Sequence, residues 1–193
     1  MQAEKQQAEN QKRNDRIREE VAGYLKVIQE NVKRADIQKV ILWEELNKDP
    51  LQRCCPYSGE LIGMQKLLSA EVEIEHILPF SQTLDDSLNN KTVSLRTANR
   101  VKGNRIPWDA KSDFHHEGWS YDDIFERAQG MPRAKRYRFA KDGYKNWLKK
   151  DKDFIARALN DTRYLSRIAR LYLELICPKK VRVIPGQMTA LLR

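Results

Sequence analysis

The sequence predicts a mostly helical α+β fold built around one short two-stranded antiparallel element. Two observations point to the strands. Residues 72–77 alternate Val, Glu, Ile, Glu, His, Ile, which is the period of a strand with one face buried. Residues 92–95 are short and β-branched and read as its returning partner. A third observation sets the class: apolar residues at helical spacing recur before and after this pair, from Ile17 to Leu175.

Residues 2–34 are rich in Gln, Glu, Lys, Arg and Ala, and predict a long helix. Its first half, 1–14, has almost no apolar stripe and reads as solvated. From Ile17 an apolar face develops through Val21, Tyr24, Leu25 and Ile28. Asp36 is placed to cap a second helix over 37–47, with Ile37, Val40, Ile41, Trp43 and Leu46 inward, and Asp49-Pro50 ends it. Pro56 and Gly59 bracket a tight turn, a hairpin before a short helix at 64–69. After the first strand, Leu78-Pro79 stops the chain. Asn89-Asn90 is a turn signal. Residues 97–101 predict a short helix with Thr97 as N-cap and Gly103 as its stop.

Further on, Pro107 is suited to start a helix. His115-His116 sits in a Gly-flanked polar stretch and reads as a loop pair without a metal role. Residues 120–129 predict a helix capped by Ser120, with Tyr121, Ile124, Phe125 and Ala128 on its apolar face. Residues 133–152 carry nine Lys/Arg against Asp142 and Asp151, with Tyr137, Phe139, Tyr144 and Trp147 interleaved. They predict an amphipathic helix pair, aromatic inside and basic outside, suited to phosphate contact. A last helix is expected over 161–176, burying Tyr164, Leu165, Ile168, Leu171, Tyr172 and Leu175. A strand at 181–184 and a turn then helix at 186–193 follow.

The chemistry concentrates in residues 71–105. Glu75 and Asn99 offer hard oxygen donors that suit Mg²⁺, which takes one or two protein oxygens and fills its shell with water and phosphate. A neutral His76 beside such an ion can take a proton from an attacking water. This is the equipment of a phosphodiester hydrolase: His76 as general base, Glu75 and Asn99 as metal ligands, and Asn90 fixing the loop and the imidazole. Neighbours in a strand face opposite ways, so Glu75 and His76 converge only if the strand ends or bends there.

The run VEIEHILPFSQTLDDSLNNKTVSLRTANRVKGNRIPWDA, with CPYSGE before it, resembles the HNH nuclease domain of type II CRISPR effectors, the RNA-guided DNA endonucleases. The resemblance implies a ββα-metal core and a Mg²⁺-dependent cut, with Mn²⁺ as a substitute. It places His76 as general base, Asn90 as the middle asparagine and Asn99 as a metal-binding residue. Two positions depart from commoner patterns: Asn99 stands where the wider superfamily has histidine, and Glu75 stands where aspartate is usual. Many HNH proteins carry two CxxC pairs around zinc. Here Cys54-Cys55 are adjacent and Cys177 is alone, so no zinc is expected and the cysteines read as small buried hydrophobes.

The resemblance further implies three parts: a helical connector from a RuvC domain (1–50), the HNH domain (51–150), and a linker with the start of the third RuvC segment (151–193). The chain then reads as an internal fragment without RuvC activity, with mobile or self-associating ends. Its implied partners are the target DNA strand in an RNA–DNA heteroduplex, the guide RNA through the full effector, and the rest of that effector.

The formal charge of +9 is uneven. Residues 1–50 hold ten basic and ten acidic residues, 51–110 seven of each, and 111–193 nineteen against ten. The excess therefore points to polyanion contact late in the chain. The expected nucleic-acid contacts are Lys91, Lys102, Arg133, Lys135, Arg136 and Arg138. No apolar run is long enough to span a membrane, and three unpaired thiols with no export signal suit a reducing cytoplasm, which the resemblance implies is bacterial. Two alternatives stand beside the effector reading. One is a free-standing homing or restriction-type HNH endonuclease, for which no base-reading motif is seen. The other is a basic nucleic-acid-binding module without catalysis.

Overall fold

The computed structural model describes residues 2–150 and, of the remainder, 165, 166, 168–175, 177 and 181. Two compact units divide the chain, Met1–Trp147 and Leu148–Arg193. The first is helical around one hairpin. Helices α1 (Gln2–Leu25), α2 (Arg34–Glu44) and α3 (Met64–Leu67) precede strand β1 (Val72–His76). After it come α4 (Phe80–Thr83), β2 (Lys91–Leu95), α5 (Arg96–Lys102), α6 (Lys111–His116), α7 (Tyr121–Gln129), α8 (Arg133–Arg136) and α9 (Gly143–Lys150).

The hairpin is antiparallel, as the alternation predicts. Val72 pairs with Leu95, Ile74 with Val93, Glu75 with Thr92 and His76 with Lys91. Val72, Val93 and Leu95 join one core with Tyr57, Ile77, Ala98, Phe114 and Phe139. Ile17, Val21, Val40 and Leu42 belong to that same core, so the first fifty residues pack into it.

Helix α1 is solvated at its front, where residues 4–12 are exposed. It stops at Leu25 rather than near residue 34. Lys26 adopts φ 55°, and the Val27 amide reaches back to the Ala22 carbonyl at 3.0 Å, a left-handed closure that usually employs glycine. The anticipated apolar face is therefore cut short: Ile17 and Val21 are buried, whereas Tyr24, Leu25 and Ile28 are exposed. Helix α2 begins at Arg34, ahead of Asp36, which lies in its first turn and not at the cap. It ends at Glu44, although Leu46 beyond it is still buried. Asp49 instead caps a 3-10 turn, Pro50–Gln52, by accepting from the Leu51 amide at 2.9 Å.

The CPYSGE turn forms as expected, closed by an antiparallel bridge between Cys54 and Leu61. Gly59 sits at φ 77°, and a Cβ there would meet the Arg127 guanidinium at 3.0 Å. That guanidinium donates to the carbonyls of Pro56 and Tyr57 at 3.0 and 2.8 Å, pinning the turn to α7. Cys55 is buried as anticipated, but Cys54 is half-buried and Cys177 exposed.

Helix α5 starts at Arg96, directly off β2. Its N-cap is Leu95, without a side-chain bond, and not Thr97. Gly103, at φ 59°, stops it. Pro107 opens a run of turns, and α6 begins only at Lys111. His115 and His116 are exposed residues of its last turn, not of a loop. Ser120 caps α7 by accepting from the Asp122 amide at 3.2 Å. Phe139 and Trp147 are buried, which agrees with an aromatic interior for the basic stretch. At Gly143 a Cβ would lie 2.6 Å from the Arg138 carbonyl oxygen, so only glycine allows this approach.

In the second unit, residues 165–166 and 168–175 are helical. Leu165, Leu171, Tyr172 and Leu175, expected inside, are exposed. Tyr164, most of the strand expected over 181–184, and the segment 186–193 lie outside the described residues. No described helix is long and apolar enough to cross a membrane.

Candidate active site

Strand β1 ends at His76, where the chain leaves the sheet and turns at Pro79. This ending answers the geometric problem of two neighbours on one strand. Glu75, His76 and Asn99 all line one cleft of about 400 Å³, together with Phe80 and Asn104.

Glu75 lies at the bottom, 3% exposed. The Tyr57 hydroxyl donates to its Oε1. Burial first, and then the Glu75 charge, push the Tyr57 hydroxyl pKa well above its usual value, so the donor keeps its proton. Lys102 Nζ lies 3.0 Å from Glu75 Oε2 and donates to the His76 carbonyl at 2.8 Å. Oε2 has no other partner and makes no hydrogen bond of good geometry.

His76 stands nearer solvent, its ring 5.3 Å from that of Phe80. Its Nε2 lies 2.8 Å from Asp86 Oδ1, which also accepts from Lys91 Nζ at 2.8 Å. Hydrogen bonds from Lys91, and then from His76, hold the Asp86 carboxyl below its ordinary pKa. A carboxylate only accepts, so in the neutral imidazole Nε2 carries the proton and Nδ1 keeps the lone pair.

Asn90 is fully buried. Its Oδ1 accepts from the Leu78 amide at 3.0 Å, and its Nδ2 donates to the carbonyls of Leu78 and Asp85, both at 2.9 Å. The side chain thus staples the loop before β2 to the segment after β1. Its partners are backbone groups, and the imidazole is held by Asp86. Asn90→Asp keeps the shape but sets a carboxylate against two carbonyls. It is expected to lower stability by about 2–3 kcal/mol, read by urea unfolding.

Asn99 donates from Nδ2 to Glu73 Oε1 at 2.7 Å, and Glu73 also pairs with Arg96 at 3.3 Å. A carboxylate partner fixes the amide's orientation and leaves Oδ1 for another ligand.

Three of the six expected nucleic-acid contacts point inward. Lys102 is 2% exposed against Glu75. Lys135 is 1% exposed, paired with Glu45 and donating to the Lys91 carbonyl at 2.7 Å; burial lowers its pKa. Arg138 is 5% exposed and lies 3.2 Å from buried Asp85. Lys102 and Arg138 are paired with buried carboxylates that would otherwise be poorly compensated, and Lys135 with the half-buried Glu45. Lys91 is tied to Asp86, Arg136 is half-buried, and Arg133 is exposed.

The donors fit a divalent ion of the Mg²⁺ kind: a carboxylate oxygen without a good hydrogen bond and an amide oxygen, both hard, on one cleft. Among the described residues, no group of three or more His, Cys, Asp or Glu could hold a metal. Water and phosphate would therefore complete its shell.

Sequence reasoning missed Glu73, Asp86 and Tyr57. Glu73 had a signal, since it lies two residues before Glu75 and shares its strand face. Asp86 and Tyr57 reach the site only through tertiary folding.

Residues 55–108 match the HNH endonuclease family, a span that contains Glu75, His76, Asn90 and Asn99. Fold and site together define an HNH endonuclease domain. Residues 149–193 match RuvC endonuclease subdomain 3. The chain is 34% identical over 166 residues to the CRISPR-associated endonuclease Cas9 1 of Streptococcus thermophilus, covering 80% of this chain and 14% of that protein. It is 34% identical over 153 residues to the Staphylococcus aureus Cas9, covering 72% and 14%. A crystal structure of Streptococcus thermophilus Cas9 in complex with the AGAA PAM superposes with a TM-score of 0.58 at 26% identity, covering 98% of this chain and 19% of that one. The type II-C Cas9 of Actinomyces naeslundii shares the fold, with a TM-score of 0.51 at 17% identity. The chain therefore joins an HNH endonuclease match to a RuvC subdomain 3 match and is similar to Cas9 proteins over most of its own length, while it spans 14% of the length of the two sequence relatives.

Proposed function

We propose that this domain hydrolyses a phosphodiester bond of the DNA strand paired to a guide RNA. The observation that carries this is the meeting of Glu75, His76 and Asn99 on one cleft. His76 receives the proton of the attacking water on Nδ1, because Asp86 engages Nε2. Glu75 and Asn99 would hold Mg²⁺ or, in its place, Mn²⁺. When bound, the ion polarises the phosphate and stabilises the leaving oxygen. Asn90 holds the loop that carries Asp86.

The Cas9 relatives support the wider setting. Base pairing with the guide selects sequence, and the protein reads the backbone and shape of the heteroduplex. The rest of the effector, including its RuvC domain, is the partner, in a bacterial cytoplasm and without a membrane.

The test incubates the chain with labelled single-stranded DNA, duplex DNA and RNA–DNA hybrid, each with Mg²⁺, Mn²⁺ or chelator. The parent is run beside Asn99→Ala, and the same substitution is repeated in the full-length effector. Metal-dependent cutting that disappears with Asn99→Ala is expected. Cutting of the guide-paired strand that survives the substitution in the full effector refutes the assignment.

Glu73 is expected to act through Asn99. Glu73→Ala frees the amide to rotate, and the Mg²⁺ concentration for half-maximal cutting is expected to rise about tenfold, with the DNA requirement unchanged. Glu73→Asp is expected to recover part of the loss. An unchanged metal requirement in Glu73→Ala rules this role out.

A further inference from the structure

A separate cleft of about 840 Å³ lies between α1, α2 and the loop that enters β2. Arg13, Arg18, Arg34 and Lys91 line it, against a single carboxylate, Asp86. Residues 1–50 balance their charges in total, but the folded helices sort them. Glu20 and Glu44 are engaged with Arg16, while three other arginines of the same helices line the cleft, of which Arg18 is paired at the surface with Asp15 at 3.2 Å. Arg13 Nε is buried without an acceptor, and the neighbouring Asn14 Oδ1 is buried without a donor. A buried donor with no partner is costly, and an anion oxygen would satisfy it.

Concave walls of one charge sign concentrate their potential on a counter-charged ligand, and guanidinium groups match phosphate oxygens in shape. The cleft is also joined to the proposed active site. Lys91 pairs with Asp86, and the same Asp86 oxygen lies 2.8 Å from His76 Nε2. We propose that this cleft binds the phosphodiester backbone of nucleic acid and holds it beside His76. The inference rests on the nuclease reading for its ligand class. It moves the main phosphate contact away from residues 133–138, where Lys135 and Arg138 face inward.

Binding is measured by fluorescence anisotropy in chelator, so that the result does not depend on cutting. Labelled single-stranded DNA, duplex DNA and RNA–DNA hybrid are titrated with the chain over a range of salt concentrations. Two cleft variants, Arg13→Ala/Arg34→Ala and Arg18→Ala/Arg34→Ala, are compared with Lys5→Ala/Lys48→Ala. The control removes the same charge from exposed positions that do not line the cleft. Circular dichroism and urea unfolding check that each variant is folded.

At least one nucleic-acid form is expected to lose about tenfold or more in affinity with both cleft variants. The slope of log affinity against log salt is expected to become shallower by about two. The control is expected to lose less than about threefold, as dispersed surface charge would. The form most affected identifies whether a single strand, a duplex or a hybrid lies in the cleft. Equal losses in cleft and control variants, unchanged binding by the cleft variants, or no binding by the parent would overturn the proposal. Cleft variants that bind normally while Asn99→Ala abolishes cutting in the effector would sink the cleft and leave the nuclease standing. The opposite pair of results would sink the nuclease and leave the cleft.

Discussion

Cleavage by His76→Ala is expected to fall about 10²–10⁴-fold, the range that a positioned general base supplies. Stability is expected to change by less than about 1 kcal/mol. The side chain is 29% exposed, and its partner Asp86 is 67% exposed, so the pair sits in water, where such contacts are weak. The two readouts separate the explanations. Lost cutting with retained folding assigns His76 to the reaction. Cutting at the parental rate places the base elsewhere. Loss of folding makes the imidazole a structural group packed on Phe80. The measurement belongs in the full-length effector, read on the guide-paired strand alone, and in the isolated chain, with chelator as the blank.

The hairpin was legible because a strand states its period in neighbouring residues. Alternation at 72–77 and the β-branched run at 92–95 were enough to place both strands within a residue or two. The end of α1 was not legible, because a lysine at φ 55° carries no local signature where glycine would have. Thr97 looked like a cap, but β2 runs into α5 without a break and the position falls to Leu95. The larger failure concerns charge. A sequence displays Lys102, Lys135 and Arg138 as cations; it does not display that Glu75, Glu45 and Asp85 will pair with them as they are buried. Counting charge along the chain therefore pointed to residues 111–193, and within them to the basic stretch 133–152. Sorting charge in three dimensions points to α1 and α2. Of the site itself, Glu75, His76, Asn90 and Asn99 were readable as a motif. Their supports, Asp86, Glu73 and Tyr57, were not, since each depends on another element arriving.

Lys102→Met is expected to destabilise the domain by about 3–5 kcal/mol, the cost of leaving a buried charge without its partner. The pair is among the most enclosed in the molecule, with side chains 3% and 1% exposed. Once the ammonium is gone, the Glu75 carboxylate retains the Tyr57 hydroxyl alone. Glu75→Gln/Lys102→Met removes both charges and is expected to be more stable than Lys102→Met by at least about 1 kcal/mol, since contacting residues couple. The decisive comparison is the effect of divalent ions on urea unfolding. A ligand that binds only the folded state stabilises it in proportion to the logarithm of its concentration over Kd. In the parent, a cation at Glu75 competes with Lys102 for the same carboxylate. In Lys102→Met that competitor is absent, so Mg²⁺ is expected to raise the unfolding midpoint more in the variant than in the parent, and not at all in the double variant. Should Mg²⁺ leave Lys102→Met as unstable as chelator does, Glu75 would be a structural carboxylate, and the metal would have to be held by Asn99 and groups other than Glu75.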